Sequence, residues 1–351
     1  MPASLEIVKF KDVDLSDSFF DSLKAQYGEF SDWFAKKAED SAYIVHDDAG
    51  ALRGFVYLKV ETGEINDVDP PLPAARRIKV GTLKINAHGT KLGERVIKKI
   101  FDHAFAEGAE EIYVTVFDTH AGLIRLFEKY GFIQKATKTT KNGEELVFVR
   151  SLTEFTGDPI EDYPFIHVDG KRFYLLAIFP DFHTDLFPDS MLKTEKTHIV
   201  EDVSHTNTIH KVYVAKLALT RLKPDDVVVI YRTTDIEGRA RFRSVATSVC
   251  VVEDVKSRRD FADVDDFIRF SAPHSVFPEQ ELRDWFNDPT RRLFAVKMTY
   301  NAAFPKRPIR DTLLEQVGIS EQPRWDLRSI TREQFDEIVE LSELDERFII
   351  D

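Results

Sequence analysis

The 351-residue chain has one cysteine, three methionines and three tryptophans. It also lacks any apolar run approaching the roughly 18 residues that a membrane-spanning helix needs. A lone thiol, Cys250, excludes an internal disulfide framework, and its place in an apolar, strand-like run reads as a small buried hydrophobe. Cysteine and histidine never group at zinc-ligand spacing, so no metal site is expected. The N-terminus, MPASLEIVKFKD, has no cationic stretch followed by an apolar one, so the expected location is the cytoplasm. Positive charge is scarce too. With 48 Lys and Arg against 61 Asp and Glu, the net charge of −13 argues against broad, nonspecific attraction to nucleic acid. The deficit is uneven: residues 1–150 hold 21 basic and 24 acidic side chains, the remainder 27 and 37.

What is present is ordinary for a globular protein, with 43% hydrophobic and 31% charged residues. At about 100–200 residues per domain, the length suggests two. Residues 1–155 read as a mixed α/β domain. A strand at LEIVKF leads to helical patterns around FFDSLKAQY and SDWFAKKAED, then to two strands joined by a turn at Asp47–Gly50. A proline-rich stretch, DVDPPLPAA, breaks the pattern as a loop before the long strand RRIKVGTLKINA. Val96, Ile97, Ile100, Phe101, Ala104 and Phe105 then recur at helical spacing up to Gly108. The strand IYVTVF follows, then a helix with Leu123, Leu126, Phe127 and Tyr130 on one face, ending at Gly131. Two strands around Asn142-Gly143, a hairpin signal, close the domain.

The most informative segment is strand, glycine-containing turn and helix, KVGTLKINA-HGTKLG-ERVIKKIFDHAF. A helix N-terminus carries unpaired N–H groups and partial positive charge, so such a turn can cradle a diphosphate. With IYVTVF and the later Leu126-Phe127-Glu128-Lys129-Tyr130-Gly131-Phe132, the segment resembles GNAT acetyltransferases. That family carries an Arg/Gln-x-x-Gly-x-Gly/Ala loop at this helix and a Leu-Tyr-Glu-Lys-x-Gly-Phe-like helix end. The resemblance covers about residues 1–150. It implies a GNAT fold with a mixed central sheet, use of acetyl-CoA, and transfer of an acetyl group to an amine.

The resemblance also assigns roles. Backbone atoms of Leu83, Ile85 and Ala87, with neighbours Lys84 and Asn86, would hold the thioester arm. His88, Gly89, Thr90, Lys91, Leu92, Gly93 and Glu94 would form the phosphate turn and helix start. His88 stands for the usual Arg or Gln, and Lys91 for the middle glycine. Lys91 can donate to phosphate as a point charge, yet it crowds the backbone approach that glycine permits. Phe127 occupies the position of the family's proton-donating tyrosine and has no proton to give. Tyr130, nearly on the same helical face, either substitutes for it or packs into the core. His120 stands where the family has an asparagine that contacts the CoA arm. Asp118 and His120 at a strand end, and Glu64, Asp67 and Asp69 in the loop before the long strand RRIKVGTLKINA, are candidate general bases or simply solvated groups.

Residues 160–325 contain more strands: RFYLLAIF, KVYVAKLAL, DVVVIYR, the long RFRSVATSVCVVEDV and RLFAVKMTY, with helical patterns at 260–271, 279–287 and 308–317. The passage LKPDDVVVIYRTT, the long strand after it, and the aromatic- and histidine-bearing AIFPDFHTDLFPDS resemble a PUA-like domain of the ASCH/EVE type. That implies a small β-barrel with covering helices, and recognition of RNA or a nucleotide-bearing substrate. Base recognition wants aromatic platforms with polar and cationic groups. Phe179, Phe182, His183, Lys211, Tyr213, Tyr231 and Arg232 are the candidates. Arg239, Arg241 and Arg243 alternate, so on a strand they would share one face, either meeting phosphates or forming surface ion pairs. Residues 326–351 read as a C-terminal helix and tail, with Thr331 followed by Glu333 and Gln334 as a helix cap. The expected protein is therefore an N-acetyltransferase whose second domain selects the substrate. The alternative is a degenerate GNAT domain that senses acyl-CoA without turnover, and a third reading makes the barrel an interaction module.

Overall fold

The computed structural model describes residues 5–47, 49–86, 91–190, 208–322 and 324–351. Two compact units divide the chain, Met1–Glu161 and Asp162–Asp351.

The first unit runs β1 (Leu5–Lys9), α1 (Asp21–Gln26), α2 (Phe30–Lys36), β2 (Ser41–His46), β3 (Leu52–Ile65), β4 (Leu72–Ile85) and α3 (Leu92–Ala106). It continues with β5 (Glu111–Val116), α4 (Ala121–Lys129), β6 (Ile133–Thr140) and β7 (Gly143–Ser151). The strands form one mixed sheet in the order β1-β2-β3-β4-β5-β7-β6. Only β4 and β5 run parallel. Part of the stretch expected as a loop is strand: Leu72 opens β4 opposite Ile65, because proline tolerates the extended start of a strand.

Strand parity divides the core. Phe55 and Tyr57 of β3 pack with Phe10, Phe20, Phe30 and Phe34 beneath α1 and α2. Gly54, on the other face, meets Leu92 of α3. The apolar stripe of α3 is buried as its spacing predicts. Gly131, just after α4, has φ of +75°, and a Cβ there would lie 2.4 Å from the Glu161 carbonyl oxygen, so only glycine fits.

The second unit contains β8 (Ile166–His167), β9 (Phe173–Ile178), α5 (Pro180–Leu186), β10 (His210–Ala215), β11 (Val227–Arg232), α6 (Ala240–Arg243) and β12 (Val245–Ser257). After these come α7 (Val264–Ser271), α8 (Glu279–Asn287), β13 (Phe294–Ala303), α9 (Arg310–Glu315), β14 (Leu327–Ile330), α10 (Arg332–Leu341) and β15 (Ile349–Ile350). Six strands form a sheet in the order β10-β13-β12-β11-β9-β14. Odd-numbered positions such as Leu175, Val229 and Tyr231 pack with Leu313 of α9 and Phe335 and Ile338 of α10. Even-numbered positions such as Leu176, Val228 and Ile230 pack with Leu186 and Phe187.

Two expectations change here. The strand expected from residue 240 starts only at Val245. Ala240–Arg243 form a helical turn instead, so the three arginines do not share a strand face. The C-terminal stretch is no appendage: β14 pairs with β9, β15 with β8, and α10 is part of the core. Its cap is as expected, with Thr331 and Gln334 in a reciprocal box. Among the described residues no helix is long and apolar enough to cross a membrane.

Candidate functional site

The parallel strands β4 and β5 pair only over Arg77–Val80 and Glu111–Val114. Beyond Val80, β4 continues along β3 to Ile85, so β4 and β5 separate. The separation begins at a bulge. Tyr57 faces Thr82 and Leu58 faces Val80, which leaves Gly81 as the extra residue. A Cβ on Gly81 would sit 2.8 Å from Tyr57 Cδ1, so glycine is required for this close approach.

Register then decides where the backbone points. The Asn86 N–H donates to the Arg53 carbonyl at 2.8 Å. Successive residues of an antiparallel strand direct their N–H and C=O alternately toward and away from the partner. Lys84 therefore faces β3, as Asn86 does, while Leu83 and Ile85 direct their backbone groups into the opening left by β5. The N-terminus of α3 follows, with Lys91 as its capping residue. Ala87, His88, Gly89 and Thr90 lie outside the described residues.

On the α1/α2 side of the opening lies a cavity of about 360 Å³. Its roof holds Tyr27, Glu29, Phe30 and Trp33, and its floor Lys59, Glu61, Lys79, Gly81, Leu83, Lys138 and Glu145. Glu145 is buried at 5% exposure and accepts a 2.7 Å hydrogen bond from the Tyr27 hydroxyl. Burial, and then this bond, push the Tyr27 hydroxyl well above its ordinary pKa. Further along, Tyr113 donates to Glu61, which also takes Lys59 at 2.9 Å. Burial works to raise the Glu61 carboxyl, but the bonds from Tyr113 and Lys59 and the nearby lysine charges hold it below its usual value. Lys79 is pulled down, chiefly by burial.

Of the candidates expected from the sequence, Leu83 and His120 line this cavity, and His120 Nε2 lies 3.3 Å from Gln26 Nε2. Asp118 is exposed and outside it. Glu64 is exposed beyond the cavity, and Glu61, on the opposite strand parity, lines it instead. Asp67 binds Lys138, and Asp69 exchanges backbone hydrogen bonds with Thr137. Phe127 is fully buried against Phe132, and Tyr130 is fully buried too, so neither helix position offers a hydroxyl to the cavity. Gly93 packs against α4: a Cβ there would lie 3.0 Å from Leu126 Cδ2. Glu94, in the first turn of α3, pairs with Lys129 at 3.2 Å. Tyr27, Glu61, Lys79, Gly81, Tyr113 and Glu145 went unnoticed in the sequence. Only Gly81 carried a local signal, an isolated glycine inside a strand pattern.

In the second unit the expected nucleotide-binding residues divide. His183, Lys211 and Arg232 are all buried: the His183 ring lies 5.6 Å from that of Phe187 and its Nε2 meets Thr247 Oγ1 at 2.8 Å, and Lys211 Nζ lies 6.0 Å from the Phe187 ring. Burial, with Arg232 and Arg307 nearby, pushes His183 down to about 3. Tyr231, adjacent to Arg232 but on the opposite sheet face, packs on Trp325 at 5.1 Å. Tyr213 is half-buried and Phe179 is exposed. Arg241 pairs with Asp311 and Glu315, and Arg243 with Asp235 at 2.7 Å.

No curated protein matches the chain. Among solved structures it is similar to ASCH from Zymomonas mobilis at 15% identity, covering 48% of this chain and 94% of that one, with a TM-score of 0.33. It is similar to the IAA acetyltransferase from Bacillus cereus at 12% identity, 42% and 97% coverage, and a TM-score of 0.33. A third is Chaetomium thermophilum Naa20 in complex with a bisubstrate analogue, at 14% identity, 42% and 86% coverage, and a TM-score of 0.32. The separating strands β4 and β5, the helix α3 between them and all of the cavity lining except Lys138 and Glu145 lie within residues 8–132, and that segment matches the acetyltransferase (GNAT) family.

Proposed function

We propose that the first unit transfers an acetyl group from acetyl-CoA to an amine held in the cavity. The observation that carries this reading is the separation of β4 and β5, which leaves the Leu83 and Ile85 backbone groups directed into the opening. Those groups would hold the pantetheine arm and polarise the thioester carbonyl, and the N–H groups opening α3 would meet the diphosphate. Glu145, buried beside Tyr27, would hold the acceptor ammonium and take its proton. The freed amine attacks the carbonyl carbon and a C–N bond forms; the C–S bond then breaks, and the second proton of the nitrogen passes through water to the departing CoA thiolate.

The test is isothermal titration of the whole chain with acetyl-CoA, repeated for Ile85→Pro. Proline removes only an N–H that faces the opening, so the β3 ladder keeps its bonds. Affinity should fall at least about tenfold, the loss of one or more hydrogen bonds, with the far-ultraviolet circular dichroism unchanged. Undiminished binding would overturn the proposal.

A second reading, an acyl-CoA sensor without turnover, is favoured by the burial of Phe127 and Tyr130. Tight acetyl-CoA binding with no CoA release across a panel of amines would decide for it. Selection of an RNA or nucleotide-bearing acceptor by the second unit rests on the sequence resemblance. Against it stands the burial of His183, Lys211, Tyr231 and Arg232. Crosslinking to cellular RNA, with a chain lacking the second unit as comparison, decides that point.

A further inference from the structure

The cavity is lined by four lysines and three glutamates, and most of them are met by a bonded partner in or just outside the lining. Lys37 bonds Asp40 at 2.9 Å, Lys59 bonds Glu61 at 2.9 Å, and Lys138 bonds Asp67. Lys79 differs. Its nearest carboxylate, Glu61, is 3.9 Å away, beyond hydrogen-bond reach, and already takes Tyr113 and Lys59. The Lys79 ammonium lies 5.4 Å from the Tyr113 ring centroid, with 26% of its side chain exposed.

The carboxylates show the same division. Glu29 is met by Lys141 at 3.2 Å and Asn142 at 3.0 Å, and Glu61 by Lys59. Glu145 is buried and, among the described residues, has the neutral Tyr27 hydroxyl as its donor and no cation within 4 Å; Lys138, its cross-strand neighbour, is bonded to Asp67 instead. A charge held away from water without a hydrogen-bonded counter-charge is costly, and a ligand that supplies one recovers part of that cost.

Register separates the two groups. Lys79 pairs with Tyr113, and Tyr113 faces Val149. Glu145 lies four residues further along β7, on the order of 13 Å of strand. Its neighbourhood is the open end: Leu146 faces Val116 at the end of β5, and Tyr27 contacts Phe117 at 5.7 Å.

Resting on the acetyl-transfer reading of this same cavity, we infer that the acceptor is an elongated zwitterion. Its primary amine docks at Glu145, beside the strand opening, and its anionic group, several atoms away, docks at Lys79. A short α-amino acid does not span the two charges, and a plain alkylamine leaves Lys79 unmet.

The test compares 6-aminohexanoate with hexylamine, which has the same chain without the anion, and with glycine, which is too short. CoA release by the full chain should show a KM for 6-aminohexanoate at least about tenfold below that for hexylamine, the discrimination a site built for a polar group imposes. Glycine should be the poorest of the three. Lys79→Met should bring the ratio of the two amines near one, and Glu145→Gln should weaken both. The same comparison is read as binding by isothermal titration, so a chain that does not turn over still answers. Equal KM or Kd for the two six-carbon amines, a preference that survives Lys79→Met, or no binding of either would overturn the inference. CoA release from both amines alike sinks this inference and leaves acetyl transfer standing. Anion-dependent binding without CoA release sinks acetyl transfer alone.

Discussion

The two units differ in where they direct polar groups of the same kind. In the first, Leu83, Ile85, Lys79 and Glu145 face an opening or a cavity. In the second, most of the polar residues that sequence suggested for a ligand are turned inward or paired, His183 to Thr247, Tyr231 to Trp325, Arg241 and Arg243 to carboxylates, while Phe179 and Phe182 stay exposed. The contrast is between residues chosen by type and groups whose hydrogen-bonding capacity is aimed at open space, and substitutions in both units tell which of the two marks a site. Substitutions in the second unit should accordingly change stability, and cavity substitutions in the first should change ligand readouts.

The largest effect tests whether the first unit also contains a purely structural charge. Arg77 is 1% exposed and bonds Glu111 at 2.6 Å and the Gly63 and Pro73 carbonyls at 2.9 and 2.6 Å. Arg77→Met leaves Glu111 and two carbonyls without their donor, and should cost about 3–5 kcal/mol in urea unfolding of the whole chain. A loss below about 1 kcal/mol would mean that water replaces those bonds once the guanidinium is gone.

Next is the buried imidazole of the second unit. Its folded pKa, about 3, lies below the unfolded value of about 6.5. The unfolded chain therefore binds the extra proton first as pH falls. Stability from this group is complete above about pH 6.5 and falls by about 1.4 kcal/mol per unit of pH toward about 3. His183→Gln should flatten the decline of the melting temperature between pH 6.5 and 4.5, and an unchanged slope would show that His183 is protonated in the folded state. A smaller change is expected for Tyr27→Phe, about 1–3 kcal/mol from an unsatisfied buried carboxylate, accompanied by a raised amine KM.

Sequence showed the order of elements in the first unit well, because that order depends on local signals: apolar spacing in α3, glycine stops after α3 and α4, and the Asn142-Gly143 turn. The cavity was far less visible. Glu145 and Tyr27 are 118 residues apart and meet only through tertiary packing, so no local pattern announces them. Glu64 was a candidate and Glu61 was not, because the strand parity that turns Glu61 toward the cavity is visible only in the structure. Gly93, a phosphate-loop glycine by resemblance, is also fully explained by its contact with Leu126. In the second unit, alternation in RARFRS imitates a strand although Ala240–Arg243 turns helically. A period of two over so few residues does not discriminate between strand and loop.

The smallest expected effect follows from that last case. On a strand, the arginines at 239, 241 and 243 would have formed a ridge able to grip phosphate. On the helical turn, Arg243 forks onto Asp235 through Nε at 2.8 Å and a terminal nitrogen at 2.7 Å, while Arg241 reaches across to Asp311 and Glu315 on α9. Both pairs are at the surface, where the mutual attraction is offset by screening and by the ordering of two long side chains. Arg241→Gln with Arg243→Gln should leave the melting temperature within the error of the curve. Binding of single-stranded RNA, at whatever level the native chain shows it, should be unchanged as well, because these guanidinium groups are already engaged by carboxylates. A clear loss of RNA binding in the double variant would mean the carboxylates release their arginines to phosphate, and the contrast between the two units would then narrow to burial alone.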